Sequence, residues 1–436
     1  MQTNRAIRQT IAAGLSMLVA VAALSGCASG TSTVTKTTTS QKYSFWPLAP
    51  DEPRIQFLGA FNSSEDVAPV KTSALESVVF GKDSVTTAYV NKPYGVACRD
   101  GKIYVCDIRA KAVVVLDLAS KQTRIMGTSG MNRLERPIAV TVGDDGAIYV
   151  ADSLHAAVLV YDKNERFNRS MPIEGMKPAS MAIFGKRLYV ADMKRQQVIV
   201  LDSQTGKQIG DIGTVGDEDG QFRLPIGVAV DKSGFLYVTD MMRCRVQKFT
   251  PEGKFVGGFG ELGDKAGGFA RPKHLAVDSD GIIYVVDAAF QNVQMFNDKF
   301  ELLMHFGSMG DFPGSMNLPV GIAVTDTGWE PLSDRVHPGF APKRCIVVAN
   351  QFGDGKISVY TLGDRRSNYS FSDLAAASNA VGTGVGKPSA ESLKFQNIGG
   401  VEPPPEGMPT GPAQDPAATP KPEAKPETKP ATTPKP

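Results

Sequence analysis

Residues suited to metal or covalent chemistry are scarce in this chain. Its 436 residues include four histidines and five cysteines. No cysteines are spaced as Cys-x-x-Cys or Cys-x-x-Cys-His, so neither a zinc pair nor covalent haem attachment is suggested. An excess of one charge is missing too. Lysine and arginine number 47 against 45 aspartates and glutamates, a net charge of +2, and removing Arg5 and Arg8 with a leader brings it to about zero. Global attraction to nucleic acid is therefore not expected. The apolar run Ile11 to Leu24 is too short to span a bilayer easily.

What the chain does have is repetition. Leu224 to Thr250 reads LPIGVAVDKSGFLYVTDMMRCRVQKFT: a proline, a short apolar strand, a glycine turn, a second strand ending Tyr-Val-x-Asp, and a third strand. Copies begin at Pro93, Pro137, Pro178, Pro225, Pro272 and Pro319, at intervals of 44, 41, 47, 47 and 47 residues. A period of this size marks a solenoid or a propeller. Turns such as Asp144-Asp145-Gly146 between alternating apolar strands predict an all-β fold. The middle copies add a fourth strand, as in Gly253 to Gly260, but the sixth stops at Leu362. Arg54 to Phe61 (RIQFLGAF) supplies the missing strand from the N-terminal side. This predicts a six-bladed β-propeller closed into a ring by an N-terminal strand, with only short edges left exposed.

These repeats (Pro-x-Gly-Val-Ala-Val-Asp, Gly-x-Ile-Tyr-Val-x-Asp, Val-x-x-Phe) resemble NHL repeats. The resemblance covers roughly Pro53 to Leu362; it is specific for fold and unspecific for function. At the N-terminus, Leu24-Ser25-Gly26-Cys27 resembles a bacterial lipobox. That implies a signal peptide over 1–26, acylation (palmitate) at Cys27, and a lipid anchor in the membrane of the cell envelope. Ala28 rather than Asp after the cysteine resembles the sorting pattern of outer-membrane lipoproteins. Residues 27–52 are then lipidated cysteine and tether, 53–362 the propeller, and 363–436 a Pro- and Lys-rich disordered tail. Ser73-Ala74-Leu75-Glu76 predicts a capped helix over about Ala74 to Phe80. An insertion around Trp329 to Lys343 is expected to jut from one face of the sixth repeat.

Topology puts the pre-proline residues and those after Tyr-Val-x-Asp on one rim. Lys92, Arg136, Lys177 and Arg271 stand before prolines, and Arg109, Lys194 and Arg195 follow the aspartates. With His274 they are the candidate binding residues, although acidic residues (Asp217, Glu261, Asp311) share the rim. The second residue after each proline, expected at the channel mouth, is Gly95, Ala139, Ser180, Gly227, His274 and Gly321. One histidine and one serine make no metal cage, so no catalytic set, metal or cofactor is expected. Aspartates 107, 152, 192, 240 and 287 recur at one turn and are read as backbone hydrogen-bond acceptors. The leading expectation is a membrane-anchored scaffold docking an envelope protein or glycan on the basic rim, without nucleic acid. Similar lipoproteins imply an association with redox (multihaem cytochrome) assemblies. The alternative is a metal-dependent hydrolase or lyase with its site near His274.

Overall fold

The computed structural model describes residues 43–48, 50–68, 88–370 and 372–374, all within one compact unit. Cys27, the Ala74 to Phe80 helix and nearly all of the Pro-rich tail lie outside the described residues. Among those described, no helix is long and apolar enough to cross a membrane.

Each repeat folds into a four-stranded antiparallel blade. In blade 4 the strands are Pro225–Val230, Leu236–Asp240, Arg245–Phe249 and Phe255–Phe259, in that order from the axis outwards. Blades 1, 2, 3 and 5 start with inner strands Pro93–Arg99, Pro137–Val142, Pro178–Phe184 and Pro272–Val277. The six inner strands neighbour one another in sequence order and return from the sixth to the first, so the ring is closed.

Closure is made in blade 6. Ile55–Phe61 pairs antiparallel with Ile357–Arg365, the third strand, as the sequence predicts. Phe45–Trp46 adds a fifth strand outside it. Both edges of the blade therefore pass the limits expected from the repeat. The third strand runs to Arg365, and Leu374 is fully buried with Phe45 and Phe340. A four-residue helix, Ser64–Val67, follows the closing strand with a capping box between Ser63 and Asp66.

Alternating strand residues bury towards the next blade, giving six inter-blade cores. The motif tyrosines 104, 149, 189, 237 and 284 each enter the core shared with the following blade and are at most 4% exposed. Burying a ring of this size contributes about 2 kcal/mol. Three of these rings also donate a hydroxyl hydrogen bond, Tyr149 to the Ser203 carbonyl (3.5 Å), Tyr237 to Asp231 (3.1 Å) and Tyr284 to Asp278 (2.9 Å).

The insertion does not jut. Its 3-10 helix, Glu330–Arg335, folds under blades 6 and 1, with Leu332 buried and Trp329 packed in their common core. Gln56 of the closing strand donates to the Arg335 carbonyl (2.8 Å) and accepts from the His337 N–H (3.1 Å). A buried glutamine needing both partners thus draws the insertion onto the closing strand.

Candidate functional site: the upper face and channel mouth

The motif aspartates define one face of the ring, called here the upper face. Asp107 is fully buried and accepts from the backbone N–H of Asn91 and Lys92, ahead of the first strand. It also accepts from Arg109 and Ala110, in the turn after the second strand. Asp152 does the same with Glu135, Arg136, Leu154 and His155. Asp287 takes Ala270, Arg271, Ala289 and Phe290. Each carboxylate ties two loops together and leaves little acceptor capacity for a ligand. In blade 6, Asn350 accepts from Asn317 N–H and donates to Gly355 and Ser358.

Consequently Lys92, Arg136 and Arg271, held by these bonds, and Lys177, whose N–H donates to Asp192 in the same way (3.1 Å), all stand directly before inner strands on the upper face and are exposed. The outer cations there are mostly neutralised. Lys111 and Arg133 pair with Glu135, Arg195 with Asp192, Arg223 and Arg243 with Asp217, and Arg245 with Asp219. Among the described residues, no carboxylate lies within ion-pairing distance of Lys92, Arg109, Arg136, Lys177, Lys194 or Arg271. Within the mixed rim expected from sequence, the four cations directly before the prolines are uncompensated, whereas those of the turns after the second strands are divided: Lys111, Arg195, Arg243 and Arg245 are paired and Arg109 and Lys194 are not. Arg195 and Arg109 part company here, the first being tied to its own aspartate.

The axis holds a cavity of about 210 Å³ lined by the inner strands, including Ser180, His274 and Cys98. Cys98 is half-buried, as are Val142, Val230, Val277 and Val324 at the same repeat position, and all five line this channel. The glycines at the mouth have a different cause from an empty channel. A Cβ on Gly95 would lie 2.5 Å from the Ile138 carbonyl oxygen, on Gly227 2.7 Å from that of Lys273, and on Gly321 2.2 Å from that of Tyr94. Neighbouring inner strands approach too closely for a side chain.

His274 is 6% exposed, and its Nε2 has no hydrogen-bond partner. Burial, then Lys273, lowers its pKa to about 4 despite a hydrogen bond with the Ala179 backbone, so the ring is neutral at pH 7. Across the axis Tyr94 meets it edge-on, with ring centroids 5.5 Å apart. Burial raises the Tyr94 pKa, and the Arg271 and Arg136 guanidiniums oppose the rise. Lys273 is 8% exposed; its Nζ contacts the Met241 sulfur at 3.3 Å. Burial and then Arg271 bring its pKa down to about 8, Asp287 acting the other way.

Tyr94 and Lys273 were not singled out as site residues from sequence. The signal was there: the residue after each repeat proline is Tyr94, Ile138, Ala179, Ile226, Lys273 and Val320. Two polar residues interrupt an apolar position, and the fold brings both to the mouth. Among the described residues, no three His, Cys, Asp or Glu side chains converge as a metal-ligand set.

The protein is an all-β, six-bladed β-propeller, with loops gathered on an upper face around a central channel. Residues 222–249, at the heart of blade 4, match the NHL repeat family model, and the propeller is built of NHL-like repeats. Among solved structures it is similar to a streptogramin B lyase (14% identity, TM-score 0.45, covering 62% of this chain and 94% of that one). It is also similar to a structural-genomics protein of unknown function from Bacteroides thetaiotaomicron (16%, TM-score 0.49, covering 64% and 70%). A third is the Kuenenia stuttgartiensis hydrazine synthase (16%, TM-score 0.43, covering 61% and 82%). At these values the likenesses carry no information on ligand or chemistry.

Proposed function

We propose that this chain is a binding module of the bacterial cell envelope, lipid-anchored at Cys27 in the outer membrane, which docks a partner protein on its upper face. The observation that carries this reading is the composition of that face. Uncompensated cations surround the mouth, and large apolar side chains stand exposed on the surrounding loops: Met131, Leu154, Met242, Leu262, Met309 and Phe352. Met131 is 99% and Leu262 76% exposed. Apolar tips around a charged centre suit a protein interface better than a glycan, because isolated exposed side chains are ordinary but a ring on one face is not. A multihaem cytochrome is one partner of this kind; its haem absorbance would identify it in a captured complex.

The test is retention of whatever co-purifies from native membranes. Replacing Arg136, Lys177 and Arg271 with Glu reverses the central charge without touching the inter-blade cores. Retention should fall at least tenfold, and unchanged retention would overturn the docking face. Metal-labelled capture of the Cys27→Ser form, which should leave the membrane fraction, tests the anchor separately.

The alternative of a hydrolase or lyase finds support in one observation, the buried unpartnered Nε2 of His274 beside a cavity. Metal analysis of protein purified without chelator separates the readings. Stoichiometric divalent cation that disappears in His274→Ala favours the enzyme. The binding-module reading predicts no stoichiometric metal in either form.

A further inference from the structure

Charge on the upper face is divided by blade. The loops of blades 1 to 3 carry Lys92, Arg109, Arg136, Lys177 and Lys194, all exposed and without an ion pair among the described residues. Lys111 of blade 1 and Arg133 of the loop entering blade 2 meet at one carboxylate, each 2.7 Å from Glu135. In blade 3, Arg195 lies 3.6 Å from Asp192 and donates to the Glu174 carbonyl (3.0 Å). Only Glu135 and Glu174 offer carboxylates at the surface of this sector, because Asp107, Asp152 and Asp192 are fully buried beneath the loops. Across the ring the excess is gone. The loops of blades 4 to 6 expose Asp217, Glu218, Asp219, Glu261, Asp264 and Asp311, and Arg223, Arg243 and Arg245 are already paired there. Met131 and Leu154, 99% and 63% exposed, stand within the basic sector.

We propose that the sector of blades 1 to 3 is the docking site for an acidic polypeptide segment that carries apolar side chains. Carboxylates of the segment meet the unpaired lysines and arginines, and its apolar side chains cover Met131 and Leu154. Charge complementarity of this kind speeds encounter and fixes register, while the apolar pair supplies a contact that sheds water. The opposite sector confines the segment, because straying over Asp217 to Asp219 brings like charges together. The same asymmetry argues against a membrane as the occupant. A flat anionic bilayer on this face would meet the acidic loops of blades 4 to 6 along with the basic ones, whereas a segment covers one sector alone. Nucleic acid needs aromatic platforms for its bases, and of the sector's exposed apolar tips, Tyr89, Met131 and Leu154, just one is aromatic. This inference rests on the upper face being a docking face; it adds which part of the face docks and the chemistry of what it holds.

The experiment is titration of the full chain with a synthetic peptide of glutamate and leucine at constant ionic strength. Its lysine-and-leucine counterpart, vesicles of anionic phospholipid and a single-stranded oligonucleotide are titrated alongside. The acidic peptide should bind one saturable site, with an affinity that falls as salt is raised. Arg136→Glu combined with Lys194→Glu should weaken it about tenfold, whereas Lys265→Glu, a cation outside the sector, should change it less than about twofold. Met131→Ser with Leu154→Ser should weaken the glutamate–leucine peptide about tenfold and leave an all-glutamate peptide unaffected. General attraction to positive charge does not produce that split. All five side chains are exposed and lie outside the inter-blade cores, so the variants keep the fold. Preference for vesicles or oligonucleotide, equal losses in the sector and control variants, or no saturable peptide binding would overturn the inference. If a native partner is captured through Arg136, Lys177 and Arg271 while the peptide shows no sector dependence, the docking face stands and the acidic segment falls.

Discussion

The motif aspartates are buried charges whose worth lies in the backbone groups they satisfy. Asp152 accepts from four N–H groups in two loops. Asp152→Ala would leave those donors unsatisfied beneath the face and should cost about 3 kcal/mol or more, read as a lowered denaturation midpoint. Asp152→Asn keeps one acceptor oxygen and should lose less. At the mouth, His274 predicts an acid-side instability. Its folded pKa is depressed to about 4 against about 6.5 in an unfolded chain. Between those values the unfolded state binds the extra proton, so stability falls as pH drops from 6.5 towards 4. His274→Gln should flatten that part of the stability–pH profile; an unaltered slope would show that other groups set it. These residue roles were partly legible. Recurrence of the aspartates gave their role, and the cations before the prolines gave the face. Which cations are neutralised was not legible, since the pairs Lys111–Glu135 and Arg245–Asp219 join residues 24 and 26 positions apart.

At the scale of elements, the inner strands set the channel and the closing strand sets the ring. Gly321 has no room for a Cβ against the Tyr94 carbonyl. Gly321→Ala should therefore push blades 6 and 1 apart, lowering the thermal midpoint by several degrees, and Tyr94 should shift with the strand. A neutral effect on stability would mean the two strands can separate freely. The closing strand was legible because the sixth repeat lacks its fourth strand while Arg54 to Phe61 has the matching pattern. Its clamp was not. Gln56 holding Arg335 and His337, and Phe45 packed at a tilt against Phe340, join segments nearly 300 residues apart, and no local pattern announces such contacts. The insertion looked like a protrusion because only its length is visible in the sequence, whereas burial of Leu332 under two blades decides its course.

For the whole molecule, ring closure makes one rigid platform from six weakly similar units. Each inter-blade core is shared, so no blade buries its faces alone. The upper face then concentrates what the repeat does not need for folding: unpaired cations at the centre and apolar tips around them. The sequence showed the cations as a rim, but which of them are neutralised required the fold. The most direct measurement of the docking claim is crosslinking of the full chain in native membranes, with the attachment sites mapped by mass spectrometry. The account predicts one dominant protein partner crosslinked at Lys92, Lys177 or Lys194 and lost when Arg136, Lys177 and Arg271 become Glu. Crosslinks spread over the opposite face, or a partner retained by that triple variant, would contradict it.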